Sequence, residues 1–398
     1  MKRISLSLLA VFCAAFSWAQ GEIVAQLNVG VSAKELAHQF DISIKDQSPY
    51  YNFALFGVRA DQNIEVIEEE LRLSGLVVWV EDNEDLDSPE GGDNLPIDQG
   101  RTGGKIAAAY DTAALGEVNK GLFDQISYQQ TPFLFGQRRI NVAVLDTGLS
   151  PLQPRLWRNV RGTYNALDRW ERFGYDVIEN RDDNANGIFD EAVGHGTFVT
   201  GLIVGLAPHA RIVNCKVANS EGVSSSWNIL KGLTVARRYG CELVNISLGA
   251  PGRIFAMSEI LDWADQNGMV IVAAAGNQAV NELMDPARNN KVVAVTAVDP
   301  HDVKADFSNY HARTDFAAPG TGIISTNHSG GMSEWSGTSF ACPIACGVIA
   351  DALRKRSPMT PEMLRDWLDG NGDDIDPLNP QYAGELGVRI NWARLNLP

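Results

Sequence analysis

RINVAVLDTG, residues 139–148, carries four apolar residues in a row, Val142 to Leu145, and then breaks into an acid, a hydroxyl residue and a glycine. A strand with one wet face would alternate. This one does not, so it reads as a strand covered on both faces, the pattern of parallel sheets packed between helices. Four later runs repeat it: ARIVNCKV (210–217), CELVNISLG (241–249), MVIVAAAGN (269–277) and KVVAVTAVD (291–299). Helical stretches separate several of them, among them WNILKGLTVARRYG (227–240) and MSEILDWADQNG (257–268). Alternating strands and helices predict an α/β fold, a mostly parallel sheet with helices on both faces. Sites in such sheets gather beyond the carboxyl ends of strands, where Asp146 and Asn277 fall.

The front of the chain follows other rules. Residues 1–19 have Lys2 and Arg3, a short apolar run from Ile4 to Phe16, and small residues at Ser17 and Ala19. They read as a signal peptide cut after Ala19, which makes a secreted or periplasmic protein the expectation. No stretch is long enough for a membrane anchor. Residues 20–80 then read as a small α+β unit of the split βαβ, ferredoxin-like kind. IVAQL (23–27), YNFALFGVR (51–59) and LVVWV (76–80) are its strands. SAKELAHQF (32–40) opens on a Ser N-cap with Glu35 three residues on, and NIEVIEEELRLSG (63–75) ends on Gly75. Residues 81–104 are rich in charge, Gly and Pro and read as an acidic linker.

Net charge is −16, and residues 20–104 hold seventeen acids against five bases. That balance excludes nucleic acid and anionic membrane as main partners. Four cysteines follow the leader: Cys215, Cys241, Cys342 and Cys346. Cys342 and Cys346 share a helix face and read as small buried thiols, since a bridge within one regular helix is strained. A Cys215–Cys241 bridge stays open.

Three short motifs carry the chemistry. VLDTG holds Asp146 at a strand end, VGHGTFVTG (193–201) holds His195 between glycines, and SGTSFACP (336–343) holds Ser339 before a helix of small residues. Each alone has a plain structural reading: a cap, a turn histidine, an N-cap. Together, in the order Asp, His, Ser, they resemble the subtilisin-like serine proteases. AAAGN (273–277), FAAPG (316–320) and GVRINWARL (387–395) extend the similarity over roughly 139–398.

The resemblance implies a peptidase domain over 105–398 in which Ser339 attacks, His195 is its base and Asp146 orients the imidazole. It implies Asn277 as an oxyanion donor beside the Ser339 N–H. Ser247, Leu248 and Gly249 on one side, and Gly222, Val223 and Ser224 on the other, would pair with an extended polypeptide substrate. Pro343 is expected in the first turn of the helix that follows Ser339, where its missing N–H is harmless. Phe198 departs from the family, which often has a second histidine there. The helix after His195 also lacks the insertion that forms a strong calcium loop in several relatives.

The front unit resembles the family's propeptide, an inhibitor and folding aid cut away on maturation. A monomer is expected. In RDDNANGIFDE (181–191), Asp182, Asn184, Asn186 and Asp190 space oxygen donors as a Ca²⁺ loop would, although Val193 stands where an EF-hand has Glu. An Asn/Asp/Gly turn without an ion fits the same residues. Two other readings are an idle subtilisin-like domain that binds peptides, and a dimeric aspartic peptidase built on Asp146-Thr147-Gly148. The second needs a paired carboxylate that this sequence does not supply within one chain.

Overall fold

In this computed structural model the described residues are 19–86, 117–130, 132, 134, 136–167, 171–172 and 192–396. The chain divides into two compact units at Asn83/Glu84.

The first unit runs β1 (Ala19–Leu27), α1 (Ala33–Phe40), β2 (Ser43–Gln47), β3 (Phe53–Arg59), α2 (Ile64–Ser74) and β4 (Val77–Asp82). The strands form one antiparallel sheet in the order β2-β3-β1-β4, the split βαβ arrangement. Local chemistry sets the helix ends. Ser32 Oγ accepts from the Lys34 N–H at 3.2 Å, and Asn63 Oδ1 from the Val66 N–H at 3.3 Å. Gly75 closes α2 at φ +68°, where a Cβ would be strained. Leu36, Ile67 and Leu71 pack with Ile23, Phe56 and Val80 into a core of this unit's own, each large side chain contributing about 1.5–3 kcal/mol. The linker expected from residue 81 does not begin there: β4 continues to Asp82, and β5 (Asp85–Leu86) follows almost at once. Charge patterning hid both, because pairing partners far along the chain override local polarity.

The second unit opens with β5, then α3 (Lys120–Gln125), β6 (Asn141–Asp146), β7 (Val160–Asn165), β8 (Glu171–Arg172), α4 (His195–Leu206) and β9 (Arg211–Lys216). Next come β10 (Ser224–Ser225), α5 (Ser226–Arg238), β11 (Leu243–Ile246), α6 (Phe255–Gln266), β12 (Val270–Ala274), β13 (Val292–Val298) and β14 (Phe316–Pro319). It ends with β15 (Ile323–Thr326), β16 (Met332–Trp335), α7 (Thr338–Leu353), α8 (Pro361–Leu368), β17 (Gly372–Asp373), β18 (Val388–Ile390) and α9 (Trp392–Leu395). The main sheet has the order β17-β18-β14-β13-β12-β11-β6-β9-β7-β8. Its pairings are parallel from β7 through β18, with β8 and β17 antiparallel at the edges. All five apolar runs read from the sequence are strands of this sheet.

Two helices are buried along their whole length, α4 and the 16-residue α7. Glycine lets them meet. A Cβ on Gly347 would stand 2.9 Å from Leu206 Cβ and 3.3 Å from Ile203 Cα. Among the small residues after Ser339, Gly347 is therefore a packing requirement.

Pro343 departs from expectation. Gly337 is the N-cap and Thr338 the first helical residue, so Pro343 is sixth in α7 and lies inside it. Its missing N–H belongs to the ladder and would have met the Ser339 carbonyl. The motif around Ser339 suggested a helix start after the serine; the helix begins one residue before it.

Cys215, Cys241, Cys342 and Cys346 are all buried free thiols, so the bridge left open between Cys215 and Cys241 is not formed. Burial pushes the Cys241 and Cys346 thiols up to about 12. Among the described residues no helix is long and apolar enough to cross a membrane. Residues 1–18 of the leader expected over 1–19, and the stretch with Asp182, Asn184, Asn186 and Asp190, lie outside the described residues. Among the described residues no group of His, Cys, Asp and Glu is arranged to hold a metal ion.

Candidate active site

β6 delivers Asp146 at its carboxyl end, fully buried. Its Oδ1 accepts from the Thr147 N–H at 2.7 Å and stands 2.7 Å from His195 Nδ1. His195 is the first residue of α4 and follows Gly194, whose φ of +94° turns the chain into the helix. The next two residues lock that helix start onto the loop after β6. The Gly196 N–H donates to Thr147 Oγ1 at 2.9 Å, and Thr197 Oγ1 accepts from the Ser150 N–H at 2.9 Å. Gly196 is required by space: a Cβ there would fall 2.3 Å from Gly148 O and 3.1 Å from Asp146 Oδ1. The glycines flanking His195 thus serve a turn and a close approach.

With Nδ1–H given to a carboxylate, the neutral imidazole carries its lone pair on Nε2. The ring is 3% exposed. Phe340 packs against it with centroids 5.4 Å apart, and Trp335 lies 6.3 Å away at 22°. Phe198, the departure from the family pattern, stacks on Trp335 at 4.8 Å and 12°. The imidazole is thus walled by aromatic rings from β16 and α7, with Phe198 of α4 packed behind them. Trp335 carried no motif in the sequence; the stack depends on a contact 137 positions from Phe198.

Ser339 is the second residue of α7, where backbone N–H groups have no acceptor within the helix. It immediately precedes Phe340, so the ring packed on His195 and the serine share one turn. In this structure the Ser339 hydroxyl donates to the Ser247 carbonyl at 3.1 Å. Asn277, just past β12, is held by Thr338: its Oδ1 accepts from the Thr338 N–H and Oγ1, both at 2.9 Å. A backbone N–H can only donate, so this fixes the amide and sets Nδ2 on the opposite edge. Thr338, unnoticed in the sequence, is what orients Asn277.

Ser247 and Leu248, beyond β11, are fully buried, and a Cβ on Gly249 would meet Asp285 O at 2.9 Å. Asp285 supports that segment through a bridge to Ala250 and takes the Ile254 N–H at 2.6 Å; burial pushes its carboxyl up to about 6. Gly222 turns at φ +89°, Val223 is 37% exposed, and Ser224 lies in β10. β10 already pairs with an extended piece of this chain: Ser224 opposes Leu86 and Ser225 opposes Asp85, antiparallel. Leu86 is 1% exposed. Glu84 O accepts from the Ser226 N–H at 2.8 Å, and Glu84 Oε1 from the Phe255 N–H at 3.3 Å.

A buried acid–imidazole pair and a serine at a helix start thus lie beyond the carboxyl ends of a parallel sheet. Residues 137–377 match the model of the Subtilase family, Peptidase S8, and the chain belongs to that family. Alkaline elastase YaB of Bacillus sp. (strain YaB) is 31% identical over 245 residues, which are 59% of this chain and 60% of that protein, so this chain spans about three fifths of that relative's length. The thermophilic serine proteinase of Bacillus sp. (strain AK1) is 29% identical over 348 residues, 84% of this chain and 78% of that one. Among solved structures, fervidolysin from Fervidobacterium pennivorans, described as a keratinolytic enzyme related to subtilisin, superposes with a TM-score of 0.70. It is 21% identical and covers 94% of this chain and 60% of its own, which speaks for the fold.

Proposed function

We propose that the chain is a serine endopeptidase made as an exported zymogen, and that Asp146, His195 and Ser339 are its catalytic residues. The observation that carries this reading is the 2.7 Å contact between buried Asp146 and His195 Nδ1, with the Ser339 helix turn packed on the same ring. The Ser339 hydroxyl, which donates to the Ser247 carbonyl in this structure, turns to His195 Nε2, which takes its proton as Oγ attacks the scissile carbonyl and then returns it to the leaving amine. Asp146 holds the tautomer and stabilises the imidazolium. Asn277 Nδ2 and the Ser339 N–H, at the positive end of α7, receive the developing oxyanion. Water then hydrolyses the acyl-enzyme by the same steps in reverse.

An extended substrate pairs by its main chain with 247–249 on one side and 222–224 on the other. The pairing of β10 with residues 85–86 supports the second, because a strand edge used by one extended segment suits another. Residues 20–80 act as a propeptide, and the segment that follows them in sequence is the inhibitory tail. The loop with Asp182, Asn184, Asn186 and Asp190 offers hard oxygen donors suited to Ca²⁺, and no catalytic step depends on it.

Casein hydrolysis by purified protein tests the activity, with Ser339→Ala as control. A serine-directed phosphonate should label Ser339 and stop turnover. Casein cleavage that survives Ser339→Ala would sink the reading. N-terminal sequencing of the mature product fixes the cut that removes the propeptide.

A further inference from the structure

We propose that Ser247 is a positioning residue for Ser339: its hydroxyl replaces the helical hydrogen bond that Pro343 deletes and ties the nucleophile's turn to the end of β11. The inference rests on the reading of Ser339 as nucleophile.

In an α-helix the carbonyl of residue i accepts the N–H of residue i+4. For Ser339 that residue is Pro343, which has no N–H. The carbonyl is buried with its residue and needs a donor. Ser247 Oγ supplies one at 2.8 Å. The relation is reciprocal, since Ser339 Oγ donates to the Ser247 carbonyl at 3.1 Å. The carbonyl and the hydroxyl of the nucleophile are therefore both referenced to one residue just past β11.

Ser247 is itself aimed. Asn245 Nδ2 donates to Ser247 Oγ at 3.0 Å, which leaves the hydroxyl hydrogen for Ser339 O. The other end of that amide, Oδ1, lies nearest the Cys342 thiol at 3.2 Å, with Val272 O at 3.3 Å as a second acceptor. Cys342 immediately precedes Pro343, so the path returns to α7 one turn beyond where it left. Asn245, Ser247, Ser339 and Cys342 are all fully buried. Solvent therefore does not compete for these bonds.

The register of the sheet gives this clamp its consequence. β11 and β6 are paired neighbours, with Ile246 opposite Leu145. The next residue on each strand path is Ser247 and Asp146. The clamp on the serine and the anchor of the imidazole thus leave the sheet side by side. Through Ser247 the nucleophile takes its position from the same strand ends that fix His195.

A double-mutant cycle tests this, because Pro343→Ala restores the missing donor. In the native background Ser247→Ala should lower kcat roughly 10- to 100-fold, the size expected for a small misplacement of a reacting group, with KM nearly unchanged. In the Pro343→Ala background the same change should cost less than about threefold, the difference being the coupling between the two sites. Equal losses in both backgrounds, or a double variant as poorly folded as Ser247→Ala alone, overturn the proposal. A Ser247→Ala that fails to fold, with a double variant that folds and turns over, supports it. Phosphonate labelling of Ser339 in the native protein is read in parallel. Failure there removes the serine-protease reading itself, whereas labelling with no rescue removes only the role of Ser247.

Discussion

Asp146 Oδ1 and His195 Nδ1 lie 2.7 Å apart, brought together across 49 residues of sequence in a site where both side chains are almost fully excluded from water. The same carboxylate oxygen also takes the Thr147 N–H, so a second contact holds its direction. Low polarity around the pair strengthens the contact, and the Gly196–Thr147 bond keeps the helix start from drifting.

Replacing that acid by its amide tests the pair. Asp146→Asn retains shape but presents an NH₂ edge that favours the wrong tautomer. The expected loss in kcat is about 10⁴-fold, the size given for this change in a serine-protease triad, with the thermal midpoint shifted little. A variant with undiminished turnover would remove Asp146 from the mechanism.

Asn277→Asp is the sharper probe of the other half of the site. An aspartate keeps the oxygen that accepts from Thr338 N–H and Oγ1, so α7 stays docked. What changes is the opposite edge, where a donor becomes a repelling oxygen. Turnover should fall by at least about 10²–10³ while KM changes little. A large rise in KM at constant kcat would instead mean that Asn277 binds ground-state substrate.

The four cysteines should be chemically silent in the native fold. Burial raises the thiols of Cys215, Cys241, Cys342 and Cys346. Iodoacetamide at neutral pH should modify none of them until the protein is unfolded in denaturant, and all four thereafter without reductant. Modification of Cys342 under native conditions, or a requirement for reductant, would contradict the packing described for α7.

The front unit should loosen as the medium turns from acid to neutral. Glu68 sits 8% exposed on α2, and its carboxyl is pushed up to about 7, first by burial and then by Asp82, with Arg72 opposing and Glu81 adding to the rise. Burial raises Asp82 as well. A carboxyl held above its ordinary 4.5 keeps its proton in the folded unit after the unfolded chain has lost it. Stability is therefore full below about pH 4.5 and lost as pH climbs through about 7. Hydrogen exchange across residues 20–83, followed from pH 4 to 8 in full-length Ser339→Ala protein, should show this slope, and Glu68→Gln should flatten it. An unchanged slope in Glu68→Gln would assign the effect elsewhere.

Interactions that close within a few residues were legible before any fold was known. The caps at Ser32 and Gly75 and the five doubly covered strands follow from local hydrogen bonding and from apolar runs without alternation. Asp146, His195 and Ser339 were legible as motifs for a related reason: each needs glycine or a helix start beside it, and those neighbours are adjacent in sequence. Residues 81–86 were not, because β4 and β5 gain their hydrogen bonds from strands far along the chain and carry charges that mimic a tether.

Sequence alone thus determined five adjoining strands of the sheet, helices between them, the order of the three motif residues and the family they resemble. Tertiary structure decided that Thr338 orients Asn277, that Phe198 and Trp335 stack beside His195, and that Pro343 lies inside its helix with Ser247 answering for the bond it removes. The reason is distance along the chain. Ser247 and Ser339 are 92 residues apart, and a hydrogen bond between them exists only once the sheet has set the two strand paths side by side.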